Sequence, residues 1–237
     1  MRLDTLMAEK KLVRSRSAAA DLIKNSLVKV DGIIINKPAK DFPAETIIEI
    51  LELPKYVSRG GLKLEKALEE FEISPAGLIV LDVGSSTGGF TDCLLQKGAK
   101  MIYAVDVGTN QLSETLKTDP RIVSMEKTDI RNIKTLPEKP DLAVIDASFI
   151  SLELILENVA SLLNKNGKII ALIKPQFETP KESKNKSGIV RTDELRNEVV
   201  EKIKTFCQKI NLTVIKIIES PILGGSGNKE FLILLQK

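Results

Sequence analysis

Short apolar runs alternate with stretches of helical periodicity from about residue 62 to the end of the chain. The first runs cover residues 78–84, 101–106, 122–125, 142–146 and 168–174. Helical patterns cover 62–71 and 193–210 and also lie between the runs. Runs that are apolar throughout are typical of strands buried on both faces, and helices between them allow parallel pairing. The pattern therefore predicts an α/β fold with a doubly wound, mostly parallel sheet.

The last two apolar runs, 212–218 and 229–235, have no helix between them. A short connection allows antiparallel pairing only, because parallel strands need a long crossover. We therefore expect an antiparallel pair at one edge, which completes a sheet of seven strands. This arrangement is typical of the Rossmann-like methyltransferase architecture.

A smaller α+β pattern occupies the N-terminal part of the chain. Its first predicted helix has apolar positions on one face at Leu3, Leu6 and Met7. Ser15 or Ser17 can cap a second helix, and an Asp31-Gly pair favours a hairpin turn. We predict a compact domain over residues 1–53, a linker over 54–61 and a second domain over 62–237.

Positive charge is concentrated in the first part of a chain whose net charge is only +3. Residues 1–40 hold nine Lys and Arg against four Asp and Glu. Such a block predicts a polyanionic partner; the alternative is a solvated helix surface. The basic residues expected to contact the partner are Arg2, Lys10, Lys11, Arg14, Arg16, Lys24, Lys29 and Arg59.

The composition also excludes several kinds of chemistry. The chain has no histidine, which removes histidine-based triads and imidazole acid–base catalysis. Its two cysteines, Cys93 and Cys207, provide no disulfide framework and no zinc ligand set, so we expect no metal. We find no signal peptide and no apolar run near the roughly 20 residues that span a bilayer. We therefore expect a cytoplasmic protein without a membrane partner, either a monomer or a weak dimer.

Glycines and acids follow the predicted strands at the ends where ligands bind in such sheets. The first strand leads into a glycine-rich turn that differs from the GxGxxG of dinucleotide sites, with Asp82 just before it. An acid there repels phosphate but suits a ligand with a cationic amino group and a sulfonium. Asp106 is placed to bind ribose hydroxyls and Asp129 to meet an adenine amino group. The cofactor is therefore predicted to be S-adenosyl-L-methionine. The alternative is that the glycines only form a tight strand-to-helix turn and bind no ligand.

The residues expected to hold that cofactor are Asp82, Gly84, Ser85, Ser86, Thr87, Gly88, Gly89, Phe90, Asp106, Val107, Asp129, Ile130 and Asp146.

Candidate residues for methyl transfer lie near the ends of the later strands. Asp146-Ala-Ser-Phe lacks the paired prolines expected for amino-group methylation of bases, and neither cysteine is placed for carbon-5 chemistry. Lys174 ends the fifth strand, Glu230 begins the last, and Lys63 lies upstream. A buried lysine needs a charge partner, for which Asp146 and Glu230 are candidates. A partly desolvated lysine can act as a base toward a ribose hydroxyl.

Together these segments resemble the TlyA, or haemolysin-A-like, family of rRNA methyltransferases. Lys63, Asp146, Lys174 and Glu230 look like the Lys-Asp-Lys-Glu set of FtsJ-like ribose 2′-O-methyltransferases. The matching segments are Tyr56-Val-Ser-Arg-Gly-Gly-Leu-Lys-Leu, Gly84-Ser-Ser-Thr-Gly-Gly-Phe-Thr, Asp146-Ala-Ser-Phe-Ile-Ser-Leu, Ile173-Lys-Pro-Gln-Phe-Glu and Gly225-Ser-Gly-Asn-Lys-Glu. The N-terminal segment resembles the alpha-L RNA-binding module.

The resemblance implies 2′-O-methylation of cytidine in ribosomal RNA, with the rRNA or a ribosomal subunit as partner. It implies that Lys174 orients and deprotonates the hydroxyl, that Asp146 and Lys63 hold Lys174 and the ribose, and that Glu230 completes the charge network. Family members modify the large subunit alone or both subunits, and the short termini here favour the first type. The alternatives are an inactive RNA-binding protein with this fold and a membrane-lysing protein, for which the sequence offers no spanning segment.

Two features bear on how RNA is held. The polar, basic segment 179–188 follows Lys174 and is expected either to close over RNA or to be a loose loop. Aromatic residues are only 4% of the chain, so stacking platforms are scarce and folded RNA recognised by shape is favoured.

Overall fold

The computed structural model describes residues 1–13, 15–52, 54–225 and 227–237, with the side chain of Ser17 left out. Arg14, which belongs to the predicted basic face, therefore lies outside the described residues. The backbone divides into two compact units, Met1–Lys55 and Tyr56–Lys237. The predicted linker, 54–61, spans this division.

The first unit has two helices, α1 (Leu3–Glu9) and α2 (Arg16–Lys24), and three short strands, β1 (Val28–Val30), β2 (Ile33–Ile34) and β3 (Ile48–Ile50), among its described residues. The predicted apolar face of α1 is buried, and Ser15 caps α2 by accepting a hydrogen bond from the Ala18 amide. The strands pair antiparallel in the order β2-β1-β3. Asp31 and Gly32 both have positive φ, as the predicted two-residue turn requires.

The second unit alternates strands and helices, as the sequence predicted. Its elements are α3 (Gly60–Glu70), β4 (Ile79–Val83), α4 (Gly89–Gln96), β5 (Met101–Val105), α5 (Glu114–Lys117), β6 (Ile122–Met125), β7 (Leu142–Ile145), α6 (Leu156–Leu162), β8 (Lys168–Ile173), α7 (Pro175–Glu178), α8 (Asp193–Lys209), β9 (Thr213–Glu219) and β10 (Phe231–Gln236).

In the described residues, seven strands form one sheet in the order β6-β5-β4-β7-β8-β10-β9. The strands from β4 to β8 are parallel, and β10 is antiparallel to both β8 and β9. This confirms the seven-stranded methyltransferase-type sheet and its antiparallel pair. Strand β10 lies between β8 and β9, and its first residue, Phe231, pairs with Ile173, the last residue of β8.

Apolar side chains cover both faces of the sheet. One face packs against α6 and α8, through residues such as Leu156 and Ile203. The other packs against α3 and α4, through residues such as Leu64 and Leu94. Burial on both faces explains why the parallel strands are apolar without alternation.

Some element boundaries differ from the prediction. Helix α3 begins at Gly60, two residues before the predicted start, and α5 is a single turn. Helix α7 was not predicted because it is only four residues long. It begins at Pro175, and proline is favourable there because the first amide of a helix has no hydrogen-bond partner within the helix.

Candidate active site

The strand order brings the predicted site residues to one edge of the sheet. Asp82 lies near the end of β4, and Asp146 and Lys174 directly follow β7 and β8, whose carboxyl ends meet there because the strands are parallel. Glu230 reaches the same edge because β10 runs the opposite way and begins there. By the two-residue period of strands, these side chains point to the face that α3 and α4 cover.

The turn after β4 has no room for ordinary side chains. Gly84 and Gly88 have φ of +80° and +95°, a backbone conformation that favours glycine. A Cβ atom on Gly84 would lie 2.9 Å from the Asp146 carbonyl oxygen, and one on Gly88 would collide with Leu116. The predicted turn residues Ser85, Thr87 and Phe90 are at least partly buried here, while Ser86 is exposed. These two glycines therefore let the turn pack directly against Asp146 and Leu116 where α4 begins.

Asp82 is a fully buried carboxyl group with one unused oxygen. Thr91 donates a hydrogen bond to Oδ2 at 2.5 Å, whereas Oδ1 has no hydrogen-bond partner among the described residues. Burial raises the pKa of Asp82 to about 7, against the opposing effect of the Thr91 bond. A buried carboxyl group with a free oxygen is costly to keep, and a cationic ligand group would offset that cost.

Asp106 joins the second strand end to the glycine turn. Its Oδ2 accepts a hydrogen bond from the Ser86 amide at 2.8 Å and its Oδ1 one from the Gly108 amide at 2.7 Å. Two backbone donors fix this carboxylate at the mouth of the turn. Val107, the next residue, is exposed.

Asp129 has a different set of partners from the one expected. It caps a short 3₁₀ turn through the Arg131 amide, and its two oxygens bind the Arg131 guanidinium at 3.0 and 2.5 Å. This guanidinium holds the pKa of Asp129 below its usual range. Ile130 is buried beneath the turn. An adenine amino group would therefore share Asp129 with Arg131.

Lys174 is a buried ammonium group beside Asp146. Its Nζ lies 2.7 Å from Asp146 Oδ1, and it donates hydrogen bonds to the Asp146 carbonyl oxygen at 3.3 Å and to Ser148 Oγ at 2.8 Å. Asp146 Oδ1 accepts no aligned hydrogen bond in the described structure, so its contact with Lys174 is a charge pair. The predicted pairing of Asp146 with Lys174 is present.

Glu230 pairs with Lys63, although the sequence analysis considered it as a partner for Lys174. Lys63 Nζ donates to Glu230 Oε2 at 2.6 Å, and both side chains are buried. Gln176 Nε2 donates to the other oxygen, Oε1, at 2.9 Å. The cause is α3, which crosses this face and brings Lys63 over the start of β10. The predicted set therefore forms two ion pairs.

Close packing fixes the start of α3 against α4. The Val57 amide donates to Asp92 Oδ2 at 2.7 Å, and Gly61 lies so close to the Tyr56 ring that a Cβ atom would collide with it. Gly89 makes a similar approach to Ser58. A Cβ atom on Gly60 would lie 3.6 Å from Asp146 Oδ2, which places α3 beside both ion pairs.

Several residues at this edge were not singled out from the sequence. Phe149 has φ of +64° and is 90% exposed, and its ring lies 4.9 Å from that of Phe177. Glu178 accepts hydrogen bonds from Ser151 Oγ and the Leu152 amide and so holds the segment after β7. Their nearness to Asp146 and Lys174 along the chain was the one feature of the sequence that could have pointed to them.

Comparison with known proteins identifies the family. Residues 56–237 match the FtsJ-like methyltransferase family. The chain belongs to that family. Residues 1–48 match the S4 domain. These matches confirm the resemblance drawn from the sequence.

Named relatives of this FtsJ-like methyltransferase align over nearly the whole chain. The Bacillus subtilis protein YqxC is 44% identical over 99% of this chain and 85% of its own length. The 16S/23S rRNA (cytidine-2′-O)-methyltransferase TlyA of Mycobacterium tuberculosis is 38% identical over 99% of this chain and 89% of its own length. A solved Streptococcus thermophilus structure that carries the hemolysin name is 42% identical, with a TM-score of 0.80, and covers 100% of this chain and 88% of that one.

The first unit, Met1–Lys55, contains the S4 match and is called the S4 unit below. Its basic residues differ in the contacts that they make. Arg2 binds the buried Asp4 at 2.6 Å and Arg16 approaches the same oxygen at 3.8 Å, and the Arg2 bond lowers the pKa of Asp4 to about 2. Lys11 and Lys24 are exposed. The remaining described positions are Lys10, bonded to the Thr46 carbonyl, Lys29, 4.0 Å from Glu49, and Arg59, at the start of α3 in the methyltransferase unit.

The basic segment after Lys174 has internal structure. It contains a 3₁₀ turn at Lys181–Ser183 and a bridge between Lys184 and Val190. Buried Asn228 bonds the Val190 amide at 2.9 Å and the Gly188 carbonyl at 3.1 Å. These bonds tie the segment to the residues before Glu230.

Both cysteines of this FtsJ-like methyltransferase are buried free thiols. Burial raises the pKa of Cys93 to about 12 and that of Cys207 to about 11, which keeps both in the unreactive thiol form. Across the described ranges, we find no cluster of His, Cys, Asp and Glu able to hold a metal ion. No helix in the same ranges combines the length and the apolar character needed to cross a bilayer.

Proposed function

We propose that this protein transfers a methyl group from S-adenosyl-L-methionine to the 2′-hydroxyl of a cytidine ribose in ribosomal RNA. The observation that carries the proposal is the pair formed by buried Lys174 and half-buried Asp146, 2.7 Å apart beside the glycine turn. Burial of a lysine and its carboxylate partner costs desolvation free energy and adds little net stability, so such a pair beside a ligand-binding turn is a candidate for a functional role. The name of the M. tuberculosis relative gives the same reaction and substrate class.

The residues around the glycine turn fit S-adenosylmethionine. The unbonded Oδ1 of Asp82 is a buried acceptor for a cationic group, and the turn excludes side chains at Gly84 and Gly88. Asp106 is already fixed by backbone amides near the turn. We expect these residues and Asp129 to hold the cofactor, which supplies an electrophilic methyl group on its sulfonium when bound.

Lys174 and Asp146 provide for the proton of the hydroxyl group. Lys174 must first release its own proton to solvent; its amine can then accept the hydroxyl proton as that oxygen is methylated, and the adjacent Asp146 carboxylate stabilises the ammonium that results. The Ser148 hydroxyl and the Asp146 carbonyl fix the direction of Nζ. Lys63 and Glu230 form the second charged wall of the site.

Phe149 offers a place for the base of the target nucleotide. Its ring is exposed and lies beside Phe177, whose own ring centre is 5.7 Å from Lys174 Nζ. Aromatic rings bind bases by stacking, and a base held there would bring its ribose near Lys174. The chain has few aromatic residues, and the Phe149–Phe177 pair lies beside Lys174, the proposed general base.

The test is methyl transfer from labelled S-adenosylmethionine to rRNA or ribosomal subunits that lack the modification. We expect transfer by the wild type and a fall in kcat of at least ~100-fold for Lys174→Ala, since general acid–base groups contribute about that much. Cofactor binding is measured alongside and should persist. Lys165→Ala is the control, since Lys165 is exposed at the opposite end of β8. A Lys174→Ala variant with the wild-type rate would contradict the mechanism.

A further inference from the structure

Gln176 contacts the Lys63–Glu230 pair and closely follows Lys174 along the chain. It lies two residues after Lys174 in the first turn beyond β8, and its side-chain amide reaches Glu230. Glu230 thus has one donor on each oxygen: Lys63 at 2.6 Å on Oε2 and Gln176 at 2.9 Å on Oε1. Gly224 makes room for this arrangement, because a Cβ atom there would collide with Glu230.

The amide of Gln176 is poorly satisfied for a structural group. Its Oε1 is buried and has no hydrogen-bond partner in the described part of the chain. The opposite amide orientation would place that oxygen against the Glu230 carboxylate, which disfavours it. A half-satisfied amide stabilises a fold less than an apolar side chain of similar shape. The one bond that this side-chain amide makes in the described structure is therefore the one to Glu230.

The backbone of Gln176 is also fixed in place. Lys184 Nζ donates to its carbonyl oxygen at 2.7 Å, and α7 ends at Glu178, which bonds the segment after β7. The side chain that reaches Glu230 therefore starts from a constrained position. A change at this side chain would alter the direction of Glu230, and through it Lys63, without a shift of the backbone.

We infer that Gln176 is a positioning residue for methyl transfer, which holds Glu230, and through it Lys63, in register with the Lys174–Asp146 pair. The inference rests on the proposed function. Gln176 acts through Glu230 and needs no contact with the reacting atoms. Displacement of an aligned group by about 1 Å can cost on the order of 100-fold in rate.

The first variant is Gln176→Met, which keeps the length of the side chain and removes the amide. We expect kcat to fall by ~10-fold or more because the alignment is lost. Glu230 Oε1 loses a donor, so some stability should be lost as well, and the assay is run well below the melting temperature of the variant. The KM for RNA should change little. A fall in kcat at unchanged KM in the folded variant separates positioning from a structural role. Wild-type kcat in Gln176→Met would overturn the inference.

The second variant is Gln176→Glu, which places two carboxyl groups side by side. At low pH they share a proton and keep the contact, and at high pH they repel each other. The rate relative to the wild type should therefore fall as the pH rises. The charged groups nearest to this pair are Lys63, which contacts Glu230, Lys184, which contacts the Gln176 carbonyl, and Lys174, two residues before Gln176; the substitution leaves all three in place. A ratio independent of pH would contradict the proposed contact.

Gln208→Glu is the matched control, because Gln208 is exposed on α8 and receives the same charge change. Its rate ratio should stay near one at every pH. The wild type in the same assay separates the two levels of the proposal. No transfer by the wild type would contradict the proposed function and this inference with it. Normal transfer by both the wild type and Gln176→Met would contradict only the role of Gln176.

Discussion

Single buried carboxyl groups determine much of the electrostatics of this site. Asp82 pairs with no cation among the described residues and has one unbonded oxygen there, whereas half-buried Asp146 and buried Glu230 each contact a lysine. Burial of the unpaired Asp82 raises its pKa to about 7. An unpaired buried acid reduces the stability of the free protein in exchange for a binding site.

The pH dependence of stability should therefore change in Asp82→Asn. In the wild type, the contribution of Asp82 to folding stability is fully present below its unfolded pKa of 3.8. It is lost as the pH rises through its folded pKa of about 7. Asn cannot ionise and can still accept the Thr91 bond. We expect the variant to be more stable than the wild type by about 2–4 kcal/mol above pH 7 and equal to it near pH 4.

Thermal or urea unfolding at a series of pH values measures this difference. Glu198→Gln on the exposed surface of α8 removes the same charge and should show no such trend. If Asp82→Asn and the wild type keep a constant stability difference from pH 4 to pH 8, Asp82 is not the buried acid described here.

The elements themselves follow from the sequence to a large extent. Apolar runs located the strands of the main sheet and placed Asp82, Asp146, Lys174 and Glu230 at or near strand ends. The pairing of Glu230 with Lys63 depends on the path of α3 across that face, which no local pattern encodes. Helix α7 is too short for a periodic signal, so Gln176 was also missed.

The turn between β4 and α4 allows a test at the scale of the element. Gly84→Ala introduces strain from positive φ and a contact 2.9 Å from the Asp146 carbonyl oxygen. We expect a loss of stability of about 1–3 kcal/mol and a marked loss of cofactor affinity, because the turn and Asp146 must both shift. Unfolding and calorimetric titration measure the two effects.

Gly77→Ala is the matched control for strain alone. Gly77 has φ of +74° and precedes β4 at the opposite edge, with nothing within 4 Å of an added Cβ. It should lose comparable stability and keep its cofactor affinity. Equal affinities in the two variants would show that the close approach at Gly84 does not matter for binding.

The whole molecule combines an S4 unit with a methyltransferase unit, and we expect each to make a different kind of contact with RNA. Exposed lysines of the S4 unit suit phosphates, which give affinity without base information. Asp4 already neutralises part of the charge of Arg2 and Arg16. The exposed Lys11 and Lys24 are therefore better placed to contact phosphates.

Charge reversal at Lys11 and Lys24 should weaken RNA binding and its salt dependence together. Loss of two phosphate contacts lowers the slope of log affinity against log salt by about 1.4, at ~0.7 per contact. Binding titrations over a range of salt concentrations measure this slope. Reversal at Lys165 and Lys209, exposed positions of the methyltransferase unit, is the control and should leave it nearly unchanged. Equal slopes for the two double variants would argue against the S4 unit as the phosphate-binding surface.

The chemical position of the methyl group tests the central claim most directly. Undermodified rRNA or ribosomal subunits are methylated by the protein, digested to nucleosides and analysed by mass spectrometry. The Lys174–Asp146 pair and the unreactive buried cysteines predict added mass on the ribose fragment, and the proposed function predicts that the product is 2′-O-methylcytidine. Added mass on the base fragment, or no product from any rRNA, would contradict the account.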